Sequence, residues 1–188
     1  MLTSKQGKKL IEIARKSIIS SFESKDFHDY DFKLDKKLKE QRGVFVTLHL
    51  NNDLRGCIGF PLPIMPLHKA VIEAARAAAF EDPRFLPLRK EELDDLKIEI
   101  SVLTKPELIK ADHNNEEIFK HIEVGKDGLI VEYSGFSGLL LPQVATEQKW
   151  DAEHFLEQTC VKAGVSPKSW KNKSCKVCKF QAQIFSEK

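Results

Sequence analysis

Residues 43–60 read Gly-Val-Phe-Val-Thr-Leu-His-Leu-Asn-Asn-Asp-Leu-Arg-Gly-Cys-Ile-Gly-Phe. Apolar residues alternate with other types over 44–50, which is the two-residue period of a half-buried β-strand. Residues 51–53 are of the types that favour turns, and 54–60 then returns as a second strand. The sequence therefore predicts a hairpin. Its second strand carries the most unusual residues of the chain, 55–59.

Helices are predicted on both sides of this hairpin. Apolar residues recur at helical spacing over 4–22 and again over 67–80. Thr3 followed by Gln6 fits a capping box at the start of the first helix. Residues 23–42 lack clean periodicity, so they are predicted to form a long connection with one helical turn at most.

The rest of the chain alternates between strand and helix patterns. Further strands are predicted at 97–104, 122–124, 129–133, 139–141 and 176–185, and helical segments at 91–96, 142–147 and from Asp151 to Ala163. Residues 110–117 are polar and are expected to form a loop. Because the strands come as hairpins, we predict an α+β fold with a largely antiparallel sheet and helices packed on it.

Composition excludes several classes of protein. The 188 residues are 41% hydrophobic and 31% charged, which is typical of a globular chain and not of a disordered or collagen-like one. The net charge of +2 argues against a dedicated nucleic-acid or membrane-surface protein. No apolar stretch follows the first lysines, so no signal peptide is expected. We therefore expect a cytoplasmic protein with free thiols and no membrane contact.

Cys57 is the first candidate for chemistry. Gly56 and Gly59 flank it, and a glycine inside a strand usually marks the close approach of a ligand or of another backbone segment. Arg55 lies two residues earlier, on the same face of a strand, where a guanidinium favours the thiolate. In the alternative interpretation Cys57 is a buried packing residue and Arg55 belongs to a structural ion pair.

His68 is the second candidate, because it begins the helix that follows the hairpin. It falls on the apolar side of that helix, between Ala75 and Ala79 on a helical wheel. A histidine there is usually hydrogen-bonded within the core. The alternative is that it acts as the base for Cys57, as in Cys–His nucleophilic catalysis.

The other cysteines are interpreted as structural. Cys175 and Cys178 form a CxxC pair, but two thiolates supply half of a zinc site and no second pair exists. Cys160 falls on the apolar face of its helix. No nucleotide-binding glycine motif or HExxH motif is present, so we predict neither a metal nor a cofactor.

A basic stretch follows near the end of the chain. Residues 158–186 contain six lysines and no acidic residue, with Trp170 among them. Such a stretch is compatible with a phosphate-bearing or nucleic-acid partner. A solvated lysine-rich surface is the more usual outcome, so nucleic-acid binding is not expected.

The chain resembles the AMMECR domain family, whose archaeal and bacterial members are called AmmeMemoRadiSam system protein A. The order and spacing of the matching segments fit from about residue 8 to 187. The main matching segments are Arg42-Gly-Val-Phe-Val-Thr-Leu, Leu54-Arg-Gly-Cys-Ile-Gly, Ala79-Phe-Glu-Asp-Pro-Arg-Phe, Ile98-Glu-Ile-Ser-Val-Leu, Gly125-Lys-Asp-Gly-Leu and Leu141-Pro-Gln-Val-Ala-Thr-Glu-Gln-Lys-Trp-Asp.

The resemblance implies a single AMMECR-like domain over 1–188 with two lobes and a cleft between them. The larger lobe would come from both chain ends and the smaller one from the middle. The resemblance also implies a cytoplasmic protein and, as partners, a Memo-like protein or a radical SAM enzyme. It implies no particular reaction, and it leaves the oligomeric state open.

Two classes of function follow for residues 54–59. In an enzyme, Cys57 would be the nucleophile and His68 its base, acting on a small anionic substrate or a modified side chain. The residues expected to contact that substrate are Arg55, Gly56, Gly59, Asp82 and Arg84. In a binding or scaffold module, the same loop would recognise a partner protein and Cys57 would be a packing residue.

Overall fold

The computed structural model describes residues 1–23, 34–110 and 117–187. The chain divides into two compact units, one formed by Met1–Leu103 with Gln183–Lys188 and the other by Thr104–Ala182. Within the described ranges, no helix is long and apolar enough to cross a membrane. The predicted cleft between two lobes stays a prediction.

The first unit begins with helix α1, Ser4–Phe22. Its predicted capping box is present, because the Thr3 side chain accepts from the Gln6 amide and the Gln6 side chain accepts from the Thr3 amide. A side-chain cap of this kind typically stabilises a helix by about 1 kcal/mol. On the apolar face of α1, Leu10 and Ile18 are fully buried.

The hairpin consists of strands β1, Val44–Leu50, and β2, Asp53–Phe60, which pair antiparallel. Asn51 and Asn52 make the turn with φ angles of 53° and 70°. Two consecutive positive φ angles are the requirement of the tight turns that suit the twist of a hairpin, and asparagine tolerates them. The returning strand begins at Asp53, one residue before the predicted start, because Asp53 pairs with Leu50.

Helix α2, Leu67–Phe80, and strand β3, Leu96–Leu103, complete the first unit. Strand β3 pairs antiparallel with β1 on the side away from β2. The predicted helical segment at 91–96 is shorter in the structure, where a 3-10 helix covers Lys90–Glu92 and β3 begins at Leu96. Helix α2 packs against both strands of the hairpin, so the end of α2 lies beside β2.

The second unit contains four strands and three α-helices among its described residues. They are β4 (Glu107–Leu108), α3 (Glu117–Lys120), β5 (Asp127–Tyr133), β6 (Phe136–Leu140), α4 (Pro142–Glu147), α5 (Ala152–Lys162) and β7 (Lys176–Ser186), the last of which continues into the first unit. Strand β5 pairs antiparallel with both β6 and β7. Phe155 and Trp170 are the largest side chains of the core here, and both are almost completely buried.

Two sequence predictions were wrong in this unit. Residues 122–124 form a turn and not a strand, because the amides of His121 and Ile122 bond back to the end of α3. Strand β5 begins at Asp127, two residues before the start of the strand predicted at 129–133, and the carboxylate of Asp127 accepts from the amide of Glu123.

The connection predicted at 23–42 lies in part outside the described residues, at 24–33. The described part contains the expected helical turn, a 3-10 helix at Lys36–Lys39. The predicted loop at 110–117 also lies largely outside the described residues, and helix α3 begins at Glu117.

Candidate functional site

Cys57 lies in the middle of β2, opposite Thr47 of β1 in the hairpin register. It is half-buried. The hydroxyl of Thr47 donates a hydrogen bond to the sulfur over 3.3 Å. The backbone amide of Cys57 donates to Oδ2 of Asp82 over 2.9 Å. The thiol is therefore held by Thr47 of the neighbouring strand, and the backbone of the same residue is held by Asp82 in the loop after α2.

Asp82 is the centre of this arrangement. Its side chain is 1% exposed. Besides the Cys57 amide, it accepts hydrogen bonds from Nε of Arg84 over 2.9 Å and from Nη2 of Arg84 over 2.7 Å. The Arg84 guanidinium holds the pKa of this carboxyl well below its ordinary value, and the Cys57 amide adds to the effect although burial opposes it. Asp82 is therefore a buried anion that fixes two neighbours.

Arg84 brings positive charge to Cys57. Its Nη2 also donates to the backbone carbonyl of Cys57 over 3.2 Å, and its guanidinium carbon lies 5.4 Å from the ring centre of Phe85. Asp82 raises the pKa of Arg84 most strongly, and Cys57 raises it further. About half of the Arg84 side chain (53%) is exposed, so a solute can reach the same guanidinium.

Arg55 forms a structural ion pair, as the alternative interpretation of the sequence predicted. Its Nε donates to Oε1 of Glu92 over 2.9 Å and its Nη2 donates to Oε2 over 3.2 Å, so the pair is bidentate. The two side chains are 14% and 10% exposed. The Arg55 guanidinium lowers the pKa of Glu92 to about 2. The structure therefore places Arg55 in an ion pair and gives the position beside Cys57 to Arg84.

His68 is buried in the first unit, and its Nδ1 lies 2.9 Å from the carbonyl oxygen of Leu38. This contact matches the expectation that a histidine on an apolar helix face is hydrogen-bonded within the core. A role for His68 as the base of Cys57 stays a prediction.

Gly56 and Gly59 lie against backbone of the protein itself. A Cβ atom built on Gly56 would lie 2.1 Å from the carbonyl oxygen of Ala78 in α2. A Cβ atom on Gly59 would lie 2.3 Å from the carbonyl oxygen of Val44 in β1. Of the two reasons offered for these glycines, the structure supports the approach of another backbone segment. Their contact with a substrate stays a prediction.

A shallow depression of about 510 Å³ lies beside the Asp82–Arg84 pair, and we call it the arginine pocket. It is lined by Arg55, Arg84, Phe85, Leu86, Pro87, Arg89 and Glu92. Larger depressions of about 660 Å³ and 810 Å³ lie elsewhere in the first unit, lined by other residues. What distinguishes the arginine pocket is therefore not its size but Arg84, which lines it and also contacts the backbone of Cys57.

Sequence reasoning missed Thr47, Glu92 and Leu86. Thr47 lies opposite Cys57 because a bulge shifts the register between Leu48 and His49, whereas a two-residue turn alone would pair Thr47 with Gly56. Glu92 carried no local signal, since it lies 37 residues from its partner Arg55.

No group of three or more His, Cys, Asp or Glu side chains in the described ranges has the geometry to hold a metal ion. Cys175 is fully buried, and burial raises its pKa to about 11. Cys178 is half-buried, and burial raises its pKa also. These environments match the structural interpretation of the CxxC pair.

The basic stretch near the end of the chain is partly engaged within the protein. Lys168 forms ion pairs with Glu153 and Glu157, and Lys179 bonds to Asp127. Trp170 is 2% exposed, so it offers no face on which a base could stack. The structure therefore adds nothing in favour of nucleic-acid binding.

These observations define a class of protein, an antiparallel α+β chain with a half-buried cysteine held beside an aspartate–arginine pair. The family model of AMMECR1 matches residues 11–185. A protein of Pyrococcus abyssi is 49% identical over 186 residues, which cover 96% of this chain and 90% of that protein. A protein of Methanocaldococcus jannaschii is 52% identical over 150 residues, which cover 79% of this chain and 74% of that protein.

The chain belongs to the AMMECR1 family. The resemblance seen in the sequence is thereby confirmed. The crystal structure of the uncharacterized protein PH0010 from Pyrococcus horikoshii matches the fold with a TM-score of 0.89 at 47% identity. That match covers 100% of this chain and 94% of the other, and it confirms the α+β fold.

The Arg55–Glu92 ion pair is expected to contribute to the stability of the folded protein in a pH-dependent way. We expect Glu92→Gln to lower the free energy of unfolding at pH 7 by about 2 kcal/mol, because the charged form of Glu92 is stabilised in the folded state. The folded protein lowers the pKa of Glu92 from its ordinary value of 4.5 to about 2. The ion pair therefore contributes its full stability above pH 4.5, and this contribution is lost as the pH falls toward about 2. The difference in the free energy of unfolding between Glu92→Gln and the wild type should therefore become smaller toward acid pH.

Urea unfolding measured between about pH 2 and pH 7 tests this expectation. The control is Glu123→Gln, since Glu123 is 65% exposed and pairs with an exposed lysine. That variant should change stability little at any pH. A Glu92→Gln difference that stays constant with pH would contradict the assignment of the ion pair.

Proposed function

We propose that this protein is an enzyme in which Cys57 is the nucleophile and Arg84 holds an anionic group of the substrate. One observation carries the proposal. The buried Asp82 carboxylate binds both the Cys57 amide and the Arg84 guanidinium, at 2.9 Å and 2.7 Å. A half-buried thiol and a half-exposed positive charge are thereby fixed next to each other.

This arrangement suits nucleophilic substitution at an electrophilic carbon. The thiolate is the reactive form of cysteine, and nearby positive charge favours it. In the proposed step the sulfur of Cys57 bonds to the carbon while the leaving group departs with its electron pair and takes a proton from water. For an acyl carbon the intermediate is a thioester; a second water adds to that carbon, the carbon–sulfur bond breaks, and the sulfur leaves with the electron pair and takes back a proton. Thr47, 3.3 Å from the sulfur, orients the thiol through its hydroxyl.

The substrate is proposed to be a small anion or a modified side chain. A guanidinium recognises carboxylate and phosphate groups by paired hydrogen bonds. Arg84 takes the anchoring role that the sequence had divided between two arginines, because Arg55 is already paired with Glu92. We also propose that the protein acts in the cytoplasm, which is consistent with its four free cysteines.

The second candidate function is a non-catalytic module that binds a Memo-like protein or a radical SAM enzyme. Leu86 favours it, because this side chain is 84% exposed in the arginine pocket. A large exposed apolar residue beside charged groups is a frequent feature of protein-binding surfaces. In this alternative Cys57→Ala would leave partner binding nearly intact.

Turnover by cysteine variants tests the proposed enzyme. We expect the wild type to consume particular anionic compounds of a cell extract, and Cys57→Ser to consume them at least about 100-fold more slowly, since an alcohol is a far weaker nucleophile at neutral pH. Mass spectrometry of the extract before and after incubation gives the rates. Intact-protein mass spectrometry after acid quenching should show a covalent adduct on Cys57.

Cys178→Ser is the matched control, because Cys178 is also half-buried but lies in the second unit. It should retain wild-type rates, and thermal unfolding should show that both variants fold. If Cys57→Ser consumed the same compounds at the same rate, or if the wild type consumed none, the enzyme proposal would be wrong.

A further inference from the structure

The loop of the arginine pocket is fixed at both of its ends. The amide of Phe85 donates to the carbonyl of Asp82 over 3.1 Å, and the amide of Leu88 donates to the carbonyl of Ala79 over 2.7 Å. Leu88 is buried. Leu86 therefore stands exposed on an ordered backbone. A ligand that covers it does not have to order the loop, which reduces the entropic cost of binding.

Three arginines and the two carboxylates that pair with them give the pocket a net charge of +1. Arg55 is matched by Glu92 and Arg84 by Asp82, each through two hydrogen bonds. Arg89 also approaches Glu92, at 3.6 Å, but its side chain is 77% exposed and that carboxylate is already shared. A ligand with one negative charge balances this surface, whereas a doubly charged phosphate would leave it negative. A carboxylate is therefore the favoured anion.

The exposure of the contacting groups points to a large ligand. Sites for small molecules bury most of the ligand surface. Here Leu86 is 84% exposed and the side chains of Arg84 and Arg89 are 53% and 77% exposed. Such groups can be covered by an extended chain that lies across the surface, with an apolar contact at Leu86 and ionic contacts on either side.

We propose that the arginine pocket binds a peptide segment in which an aspartate or glutamate stands next to a large apolar residue. The carboxylate binds Arg84 and Arg89, and the apolar side chain packs on Leu86. This inference rests on the proposed function, since it names the class of substrate for the same site: a protein segment that is presented to Cys57.

Selection from a phage-displayed library of random dodecapeptides tests the proposal. The immobilised target is Cys57→Ser protein, so that bound peptides are not processed. We expect enrichment of an acidic residue beside Leu, Ile or Phe. Fluorescence anisotropy with a synthetic copy of the enriched peptide should show binding at least about tenfold weaker for Leu86→Ser and for Arg89→Gln.

Three comparisons make the result decisive. Ile64→Ser is the control variant, because Ile64 is 61% exposed but does not line the pocket, and it should bind the peptide as the parent does. Replacing the acidic residue of the peptide by its amide should weaken binding about tenfold. Tighter binding of a phosphoserine version would overturn the choice of a carboxylate.

The inference would be overturned if no sequence were enriched, if the enriched peptides lacked acidic residues, or if Leu86→Ser bound as tightly as its parent. Its failure is separate from that of the enzyme proposal. If the wild type turned over extract compounds but no peptide were enriched, the enzyme proposal would stand and the peptide proposal would be wrong. If the wild type bound an enriched peptide but formed neither adduct nor product, the peptide-binding surface would stand and the enzyme proposal would be wrong.

Discussion

Iodoacetamide is expected to alkylate Cys57 at least about 1,000-fold faster than Cys160 or Cys175 in the native protein at pH 8. Burial raises the pKa of both reference thiols to about 11, so roughly one molecule in a thousand carries the thiolate at that pH. Both are also inaccessible, at 0% and 1% exposure. Cys57 is half-buried and lies beside the Arg84 guanidinium. Peptide mass spectrometry over a time course gives each rate.

Cys178 provides the internal control for exposure alone. It is half-buried like Cys57, but no arginine contacts it among the described residues, and burial raises its pKa. Arg84→Gln should slow the alkylation of Cys57 by about fivefold and leave Cys178 unchanged, since it removes positive charge from one thiol only. Unfolding in guanidinium chloride should make the alkylation rates of all four cysteines similar. If Cys57 stayed unmodified until the protein unfolded, it would be a core residue and could not be the nucleophile.

Replacing Gly56 by alanine is expected to lower the free energy of unfolding of the first unit by about 3 kcal/mol. The new methyl carbon would lie 2.1 Å from the carbonyl oxygen of Ala78, far inside van der Waals contact. That oxygen belongs to the backbone of α2, so the helix must shift and disturb its packing on the hairpin. For a chain of this length the melting temperature should fall by roughly 6–12 °C.

Gly135→Ala is the matched control, because it is another glycine-to-alanine change at a position with free space. No atom lies within 4 Å of its added carbon, and the remaining cost is a φ angle of +82°. That strain amounts to about 1 kcal/mol. Calorimetry of both variants would decide the matter. Equal losses would mean that the close approach of α2 to β2 does not constrain residue 56.

The elements that follow from local sequence were predicted closely. Helix α1 begins at Ser4 as expected, because its cap and its apolar face are both encoded within one short stretch. Strand β1, Val44–Leu50, and helix α2, Leu67–Phe80, also have the predicted bounds. The error at 122–124 has a local cause too. Three residues with apolar ends resemble a strand, but the amide of the first, Ile122, bonds back to Phe119 at the end of α3.

The site itself depended on contacts that no periodicity encodes. Cys57 meets Asp82 across 25 residues of chain, and Arg55 meets Glu92 across 37. One interpretation of the sequence therefore placed Arg55 beside the thiol and gave Arg84 only a contact with the substrate. Strand geometry favoured Arg55 as the neighbour of the thiol, whereas the loop after α2 delivers Arg84 to that position. The sequence named Cys57, Asp82 and Arg84 as candidates, but it could not predict the hydrogen bonds that join them.

The buried Asp82 carboxylate also restricts how this surface can evolve. One anion serves the backbone of β2 and the guanidinium of Arg84, so a replacement at residue 82 removes two interactions at once. Substitutions at 82 and 84 share a single partner network and are therefore non-additive. An exchange of Arg84 alone strands a buried negative charge, and an exchange of Asp82 alone frees the arginine. Because of this epistasis, Asp82 and Arg84 are expected to be substituted together or not at all.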